Sequence, residues 1–240
     1  MLERMNAHVV GINGCRGGWF VCRLNVETRA IDLLAVAARF SQILEREKTA
    51  THIAIDIPIG LPEGESPRQC DIQARQLLTK ARASSVFPAP ARDLLGEPDY
   101  AQACARSMVI SGKSISKQAH AIFPKIGEVD EIMTSALQDR VFEVHPELCF
   151  WGFAGRPMAH SKKIPEGYEE RRAVLTKMLP PMQLPVRSEV RQLGLPIEPD
   201  DLLDAVAATI TAYRVWTNDA SRIPRKPELD RKGLRMEMNY

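Results

Sequence analysis

Three short apolar runs, Val9 to Ile12, Trp19 to Leu24 and Ala30 to Val36, follow one another with little chain between them. Asn13-Gly14 and Gly17-Gly18 stand between the first two, a pairing that predicts a tight turn. Parallel strands need a crossover of a dozen residues or more, so runs this close are read as an antiparallel meander. The pattern then changes. Ser41 to Lys48 fits a helix with Ser41 as its N-cap. Ile53 to Ile57 is the clearest strand: Ile53, Ile55 and Ile57 share one side, Ala54 and Asp56 the other, and Pro58 ends it. A helix is expected from Pro67 to Ala83 behind a Ser66 cap. The segment SSVFPAPARDLL is read as a structured loop, because Pro88 and Pro90 forbid a regular helix.

Ser116 to about Gln138 is helical in pattern, with an interruption near Pro124. Val141 to His145 reads as a strand, with Phe142 and Val144 on one face and Val141, Glu143 and His145 on the other. Helices follow over Glu166 to about Leu179 and Asp200 to Trp216. The order β-β-β-α-β-α-β-α, with inserts before and after the last strand, predicts an α/β domain of the ribonuclease H-like type, a mixed sheet with helices on both faces. Residues 1–221 are read as one domain, and 222–240, charged and holding Pro224 and Pro227, as a surface tail.

At 240 residues and 45% apolar, the chain can bury a core, and 26% charged residues exclude a disordered tail as its main character. A net charge of +2 neither demands nor excludes a nucleic-acid partner. Cys15, Cys22, Cys70, Cys104 and Cys149 form no CxxC pair and are odd in number, which argues against zinc or a disulfide framework and fits a reducing, cytoplasmic location. The N-terminal MLERMNAHVVGI lacks the apolar core of a signal peptide, and no apolar run approaches a membrane span.

Asp56 ends an apolar strand, Glu143 lies mid-strand in VFEVHPE, and Asp204 sits in the first turns of the last helix in DDLLDA. If the first and fourth strands are neighbours, the last helix can cross their shared edge and aim Asp204 at it, with Ala205, Ala208 and Ala212 permitting close approach. Carboxylates gathered in one cleft repel unless a cation neutralises them, and oxygen-only ligands suit Mg²⁺ or Mn²⁺. Two such ions about 4 Å apart stabilise the attacking and leaving oxygens of a phosphodiester displacement. Plainer readings stand beside this one. Asp56 also suits a strand end, Glu143 a pairing with an arginine, and Asp200 and Asp201 the acidic first turn of a helix. Asp204 lies past the cap, and its i, i+3 spacing from Asp201 lets both face one ion.

GINGCRGGW, IDIPIGLPE, SSVFPAPAR, FEVHPELCFW and DDLLDAVAA, in that order from Val9 to Tyr213, make the chain similar to a family of predicted ribonuclease H-like nucleases of unknown function. The resemblance implies metal-dependent phosphodiester chemistry, with Asp56, Glu143, Asp201 and Asp204 as its site. One departure matters. The family usually has Asp where this chain has Asn13, whose neutral carbonyl is a weaker ligand for a hard cation. Asn13 then implies one metal or lower affinity, or loss of catalysis with binding retained, or conversion to Asp by deamidation at Asn13-Gly14. Asn13-Gly14 as a plain hairpin turn is compatible with all three.

GCRGG follows a strand and offers Gly14 and Arg16 as phosphate contacts, or is only a turn. Ser84 and Ser85 bind a phosphate or merely order their loop; no GxSxG elbow surrounds them. His145 shares a strand face with Glu143 and suits a proton shuttle, a metal ligand or a structural role. Lys113, Lys117, Lys125, Lys162, Lys163, Arg171 and Arg172 are spread over the inserts, to clasp a nucleic-acid backbone or only to keep the surface soluble. Three functions remain in contention: a metal-dependent nuclease or phosphodiesterase, a catalytically silent nucleic-acid- or nucleotide-binding domain, and a small-molecule phosphotransferase using GCRGG.

Overall fold

A computed structural model describes residues 7–64, 66–179 and 183–240; the first six residues of the segment read as lacking a leader lie outside them. The antiparallel meander is present as β1 (His8–Cys15), β2 (Gly18–Asn25) and β3 (Ile31–Ala37). After α1 (Phe40–Arg46), β4 (His52–Asp56) returns parallel to β1. Next come α2 (Gln69–Leu77), α3 (Thr79–Arg82), α4 (Tyr100–Ser111), α5 (Lys117–Ala121) and α6 (Phe123–Ile132). Then β5 (Val141–Glu143) pairs parallel to β4. The rest is α7 (Pro146–Ala154), α8 (Pro165–Met178), α9 (Arg187–Gln192), α10 (Pro199–Trp216), β6 (Arg222–Ile223) and β7 (Met238–Asn239).

The five-stranded sheet runs β3-β2-β1-β4-β5, antiparallel through β1, β2 and β3 and parallel through β1, β4 and β5. This is the expected mixed sheet of an α/β domain. Alternation along the strands divides the core in two. Val10, Ile12, Ile53, Ile55 and Val141 pack with Phe40, Phe123 and Ile126 on one face. Val9, Phe20, Ala54 and Phe142 pack with Phe150, Leu202, Ala205 and Val206 on the other.

The second face holds α10 tightly. A Cβ on Gly11 would lie 2.3 Å from the Ala205 carbonyl oxygen and 2.3 Å from the Thr209 nitrogen, so only glycine lets β1 and α10 meet. Thr209 Oγ1 lies 3.1 Å from the Cys22 carbonyl oxygen and 2.8 Å from that of Ala205, tying the helix to the sheet by a donated hydrogen bond.

Several expectations need correction. Asn13-Gly14 is not a turn: both residues continue β1, pairing with Phe20 and Trp19, and the chain reverses at Arg16 and Gly17. Of the Gly17-Gly18 pair, Gly17 lies in the turn and Gly18 opens β2 at φ 123°. Helix α1 starts at Phe40, and it is Gln42, not Ser41, whose side chain accepts from the backbone at the cap, Arg39 N. The helix expected over 67–83 begins behind Arg68, not Ser66, and breaks at Thr79, whose φ of 53° is left-handed. Helices α4, α7 and α9 were not anticipated. Asp99 accepts from Gln102 N at one end of α4 and Gly112 closes the other at φ 66°, a cap pair readable in the sequence.

Residues 222–240 are not a surface tail. Ile223, Leu234, Met236 and Met238 are buried, β6 pairs with β7, and Asn239 bridges to Val144. Part of the segment's charge is paired, as where Asp230 accepts from Arg92 and Arg235 lies 3.1 Å from Glu237, and Gln138 holds the Arg235 backbone from both sides.

Candidate active site

The C-terminal ends of β1 and β4 lie side by side, with Asn13 in register with Asp56. Residues in register on parallel strands share a face, and this face is the one covered by α10. The first turns of α10 bring Asp201 and Asp204 to the same place. Asn13 Nδ2 donates to Asp201 Oδ1 at 3.3 Å, and Asp56 has Asp204 and Asp201 as its charged neighbours. Asn13, Asp56, Asp201 and Asp204 are thus one cluster at the end of the sheet.

Glu143 does not join it. Ile55 is in register with Glu143, so Glu143 lies on the isoleucine face, opposite to Asp56. There both of its oxygens accept from Arg68, at 2.7 and 2.8 Å, and Oε2 also accepts from Ile59 N at 2.6 Å. Arg68 continues to Asp71 at 2.6 Å. Burial works against the Arg68 charge, but Asp71 and Glu143 more than offset it, so the guanidinium stays charged. The arginine-pairing reading of Glu143 is the one the geometry favours, and a two-residue strand period is the reason.

Lysines supply the cluster's positive charge. Lys162 donates to Asp204 and lies 3.6 Å from Asp200, while Lys163 donates to Asp200 at 2.7 Å. Burial opposes the Lys162 charge, but Asp204 and Asp200 overcome it and raise its pKa. Both lysines precede α8 in the insert after β5. Burial and then Asp204 push Asp56 up to about 7, with Lys162 pulling the other way. Asp201 is raised to about 6, by burial first and by Asp200 and Asp204, against the stabilising N–H of Glu198. Asp204 is also raised by burial, against Lys162. Its second oxygen, Oδ1, is buried with no hydrogen-bond partner among the described residues.

Of the cluster, Asn13 and Asp56 line a cavity of about 460 Å³, together with Gly14, Lys125, Glu143, His145 and Lys162, while Asp201 and Asp204 lie behind them. Lys125 lies 4.6 Å above the Trp19 ring and donates to the Gly18 carbonyl, packing over Gly14. His145 Nε2 is 3.2 Å from the Ser85 carbonyl, which can only accept, so Nε2 carries the proton. Its Nδ1 has no partner among the described residues, and burial lowers the ring's pKa.

Other expected contacts fall apart. Arg16 is exposed at the hairpin tip and Ser84 is exposed on its loop; neither lines the cavity. Ser85 does line it, but its hydroxyl donates to the Arg82 carbonyl at 2.7 Å. Arg171 is buried against Glu147, and Arg172 pairs with Glu169 on its own helix. Of the scattered basic residues, Lys125, Lys162 and Lys163 reach the cleft. Nothing in their spacing distinguishes them from surface lysines.

The donor set fits a hard divalent cation in chemistry: three carboxylates, one of them with a buried oxygen lacking a partner among the described residues, and one amide oxygen. Among the described residues, however, no three His, Cys, Asp or Glu side chains close on one point as a ready-made cage. Lys162 holds the place of positive charge.

The family model described as "Protein of unknown function (DUF429)" matches residues 11–229. No curated protein matches. The solved structure of RuvC from Thermus thermophilus is similar over 88% of this chain and 97% of that one, with 13% sequence identity and a TM-score of 0.35. Among the described residues, no helix is long and apolar enough to cross a membrane.

Proposed function

Because this chain belongs to the DUF429 family, a membership that carries no activity with it, we propose its function from the cleft itself: a Mg²⁺- or Mn²⁺-dependent hydrolase of phosphodiester bonds acting on nucleic acid. The observation that carries this reading is the convergence of Asp56, Asp201 and Asp204 with Asn13, on one sheet face at one end of α10. Asp56 and Asp204 would hold the ion, with Asp201 and the Asn13 carbonyl beside them. When bound, a divalent ion polarises a phosphoryl oxygen and makes water a better nucleophile at neutral pH.

The chain's own residues supply the rest. Lys162 and Lys163 neutralise the aspartates while the cleft is empty and offset negative charge on a phosphate when one enters. Lys125 adds a third cation to the same cavity. His145, its pKa lowered by burial and its Nδ1 without a partner among the described residues, is suited to accept a proton in that cavity. The test is cleavage of labelled DNA and RNA oligonucleotides with Mn²⁺, comparing the parent with Asp204→Asn and Asp56→Asn. Loss of cleavage in both variants is expected. Cleavage left intact by Asp204→Asn defeats the site assignment.

A second reading, a catalytically silent nucleic-acid- or nucleotide-binding domain, is favoured by two observations: the neutral Asn13 and the Lys162–Asp204 pair. Oligonucleotide binding with no Mn²⁺-dependent cleavage, in the parent and in Asn13→Asp alike, selects it. The phosphotransferase reading loses its main support, since Arg16 of GCRGG stands outside the cavity; a thermal shift with ATP would restore it.

A further inference from the structure

Two cavities of similar size adjoin Phe87, which among the described residues is the one that lines both. The first is the acidic cleft. The second, of about 490 Å³, is bounded by Arg75 on α2, Pro90 of the proline-rich loop, and Ser107 and Ser111 on α4, with Lys113 at its side. Phe87 is 39% exposed, unusual for an aromatic side chain set between two concave surfaces.

Its backbone is fastened from both sides. Arg75 Nη1 donates to the Val86 carbonyl at 2.7 Å and to that of Ala83 at 2.9 Å. Ala89 N donates to Asp71 Oδ2 at 2.9 Å. Asp71 is itself held by Arg68, which also pairs with Glu143. Pro88 removes a donor and fixes φ between these two anchors. A loop that merely connects two helices needs no buried ion-pair chain beneath it. A loop that presents a rigid ring does, because a ring fixed beforehand loses little freedom on binding.

The charges say what the ring would meet. Lys125, Lys162 and Lys163 lie on the cleft side, where a phosphate backbone would run. We infer that Phe87 is a stacking platform for one base of a single-stranded nucleic acid, seating that base in the second cavity while the adjoining phosphate lies in the acidic cleft. Bases within a duplex have both faces covered, so a strand with an unstacked base is the substrate class this arrangement takes. The inference rests on reading the cleft as a phosphodiester site, and it gives Glu143 and Arg68 a positioning role in place of a metal-binding one.

The experiment uses the intact protein in EDTA, so no cleavage intervenes. Single-stranded oligonucleotides carrying one 2-aminopurine are titrated with the parent, Phe87→Ala and Phe87→Tyr, and fluorescence quenching and affinity are read together. The parent quenches the probe, Phe87→Tyr keeps the quenching, and Phe87→Ala abolishes it and weakens binding by about fivefold or more. An unlabelled duplex competes poorly with the single strand. Thermal midpoints within a degree or two of the parent's show that the variants are folded. Equal quenching by parent and Phe87→Ala, or no oligonucleotide binding by the parent, overturns the inference. Phe87-dependent quenching with no Mn²⁺-dependent cleavage supports the platform and defeats the hydrolase reading alone.

Discussion

Asn13 on β1 and Asp56 on β4 stand side by side in parallel register, and the amide of Asn13 donates to Asp201 across the gap to α10. A neutral residue therefore occupies the centre of an acidic cluster and bonds to it. Asn13→Asp removes that donor and adds a fourth negative charge. The cation-free protein is expected to lose about 1–3 kcal/mol. Mn²⁺ should restore more stability in the variant than in the parent. Thermal unfolding with and without Mn²⁺ checks both halves.

The raised carboxyls set a pH dependence. Asp56 at about 7 and Asp201 at about 6 hold protons in the folded protein that the unfolded chain, with its carboxyls near 3.9, releases earlier. The native state thus binds more protons between about pH 4 and 7, and the contribution of these groups to stability falls as pH rises through that window. Asp56→Asn should flatten the fall in thermal midpoint between pH 5 and pH 8. A steeper fall in that variant contradicts the assignment. Because a cation binds the ionised form, Mn²⁺ should stabilise the parent more at pH 8 than at pH 5.

Lys162 competes with any ion for Asp204. Lys162→Met frees the carboxylate but leaves it buried without a partner, at a cost of roughly 1–3 kcal/mol without metal. Its affinity for Mn²⁺ should rise by about tenfold, measured by isothermal titration. A drop in affinity would mean that Lys162 supports the ion and does not displace it.

Glu143 lines the same cavity as Asp56 but is engaged by Arg68, and its removal should separate the two roles. Glu143→Ala leaves Arg68 buried and half-paired, which costs about 3–5 kcal/mol in urea unfolding. Mn²⁺ affinity of the folded fraction should match the parent's. A large loss of affinity would place Glu143 at the ion after all.

The Asn13-Gly14 dipeptide is held within β1, paired residue for residue with β2. Backbone fixed in a ladder cannot readily close the ring through which asparagine deamidates. A peptide mass spectrum of protein stored at neutral pH should show Asn13 intact, whereas quantitative conversion would return the site to three carboxylates plus one.

How much of this was legible follows the physics of each element. The meander, β4 and α10 were readable because alternation and periodicity are local, and Asp56, Asp201 and Asp204 were found through them. The pairing of Glu143 with Arg68 was not legible, because alternation along each strand does not say which face of β5 matches which of β4. Only the Ile55–Glu143 register decides that, and register is a pairing between distant segments. Lys162 and Lys163 were visible as charges but not as site residues, since the insert after β5 brings them back over α10 through tertiary packing. Asn13-Gly14 misled in the opposite way: its turn propensity was overridden by the ladder on both sides of β1. The burial of residues 222–240 was not legible because paired and solvated charges have the same composition.

The close seat of α10 on Gly11 has a consequence for how this site can vary. At Gly11 the frame under the aspartates is nearly backbone against backbone, with only the Thr209 hydroxyl between β1 and α10. Their spacing is inherited with the sheet itself. The lysines that balance them ride on a connecting loop with no such constraint. Sequence drift in that loop can therefore retune the charge of the cleft, while the carboxylates it acts on stay where the fold puts them.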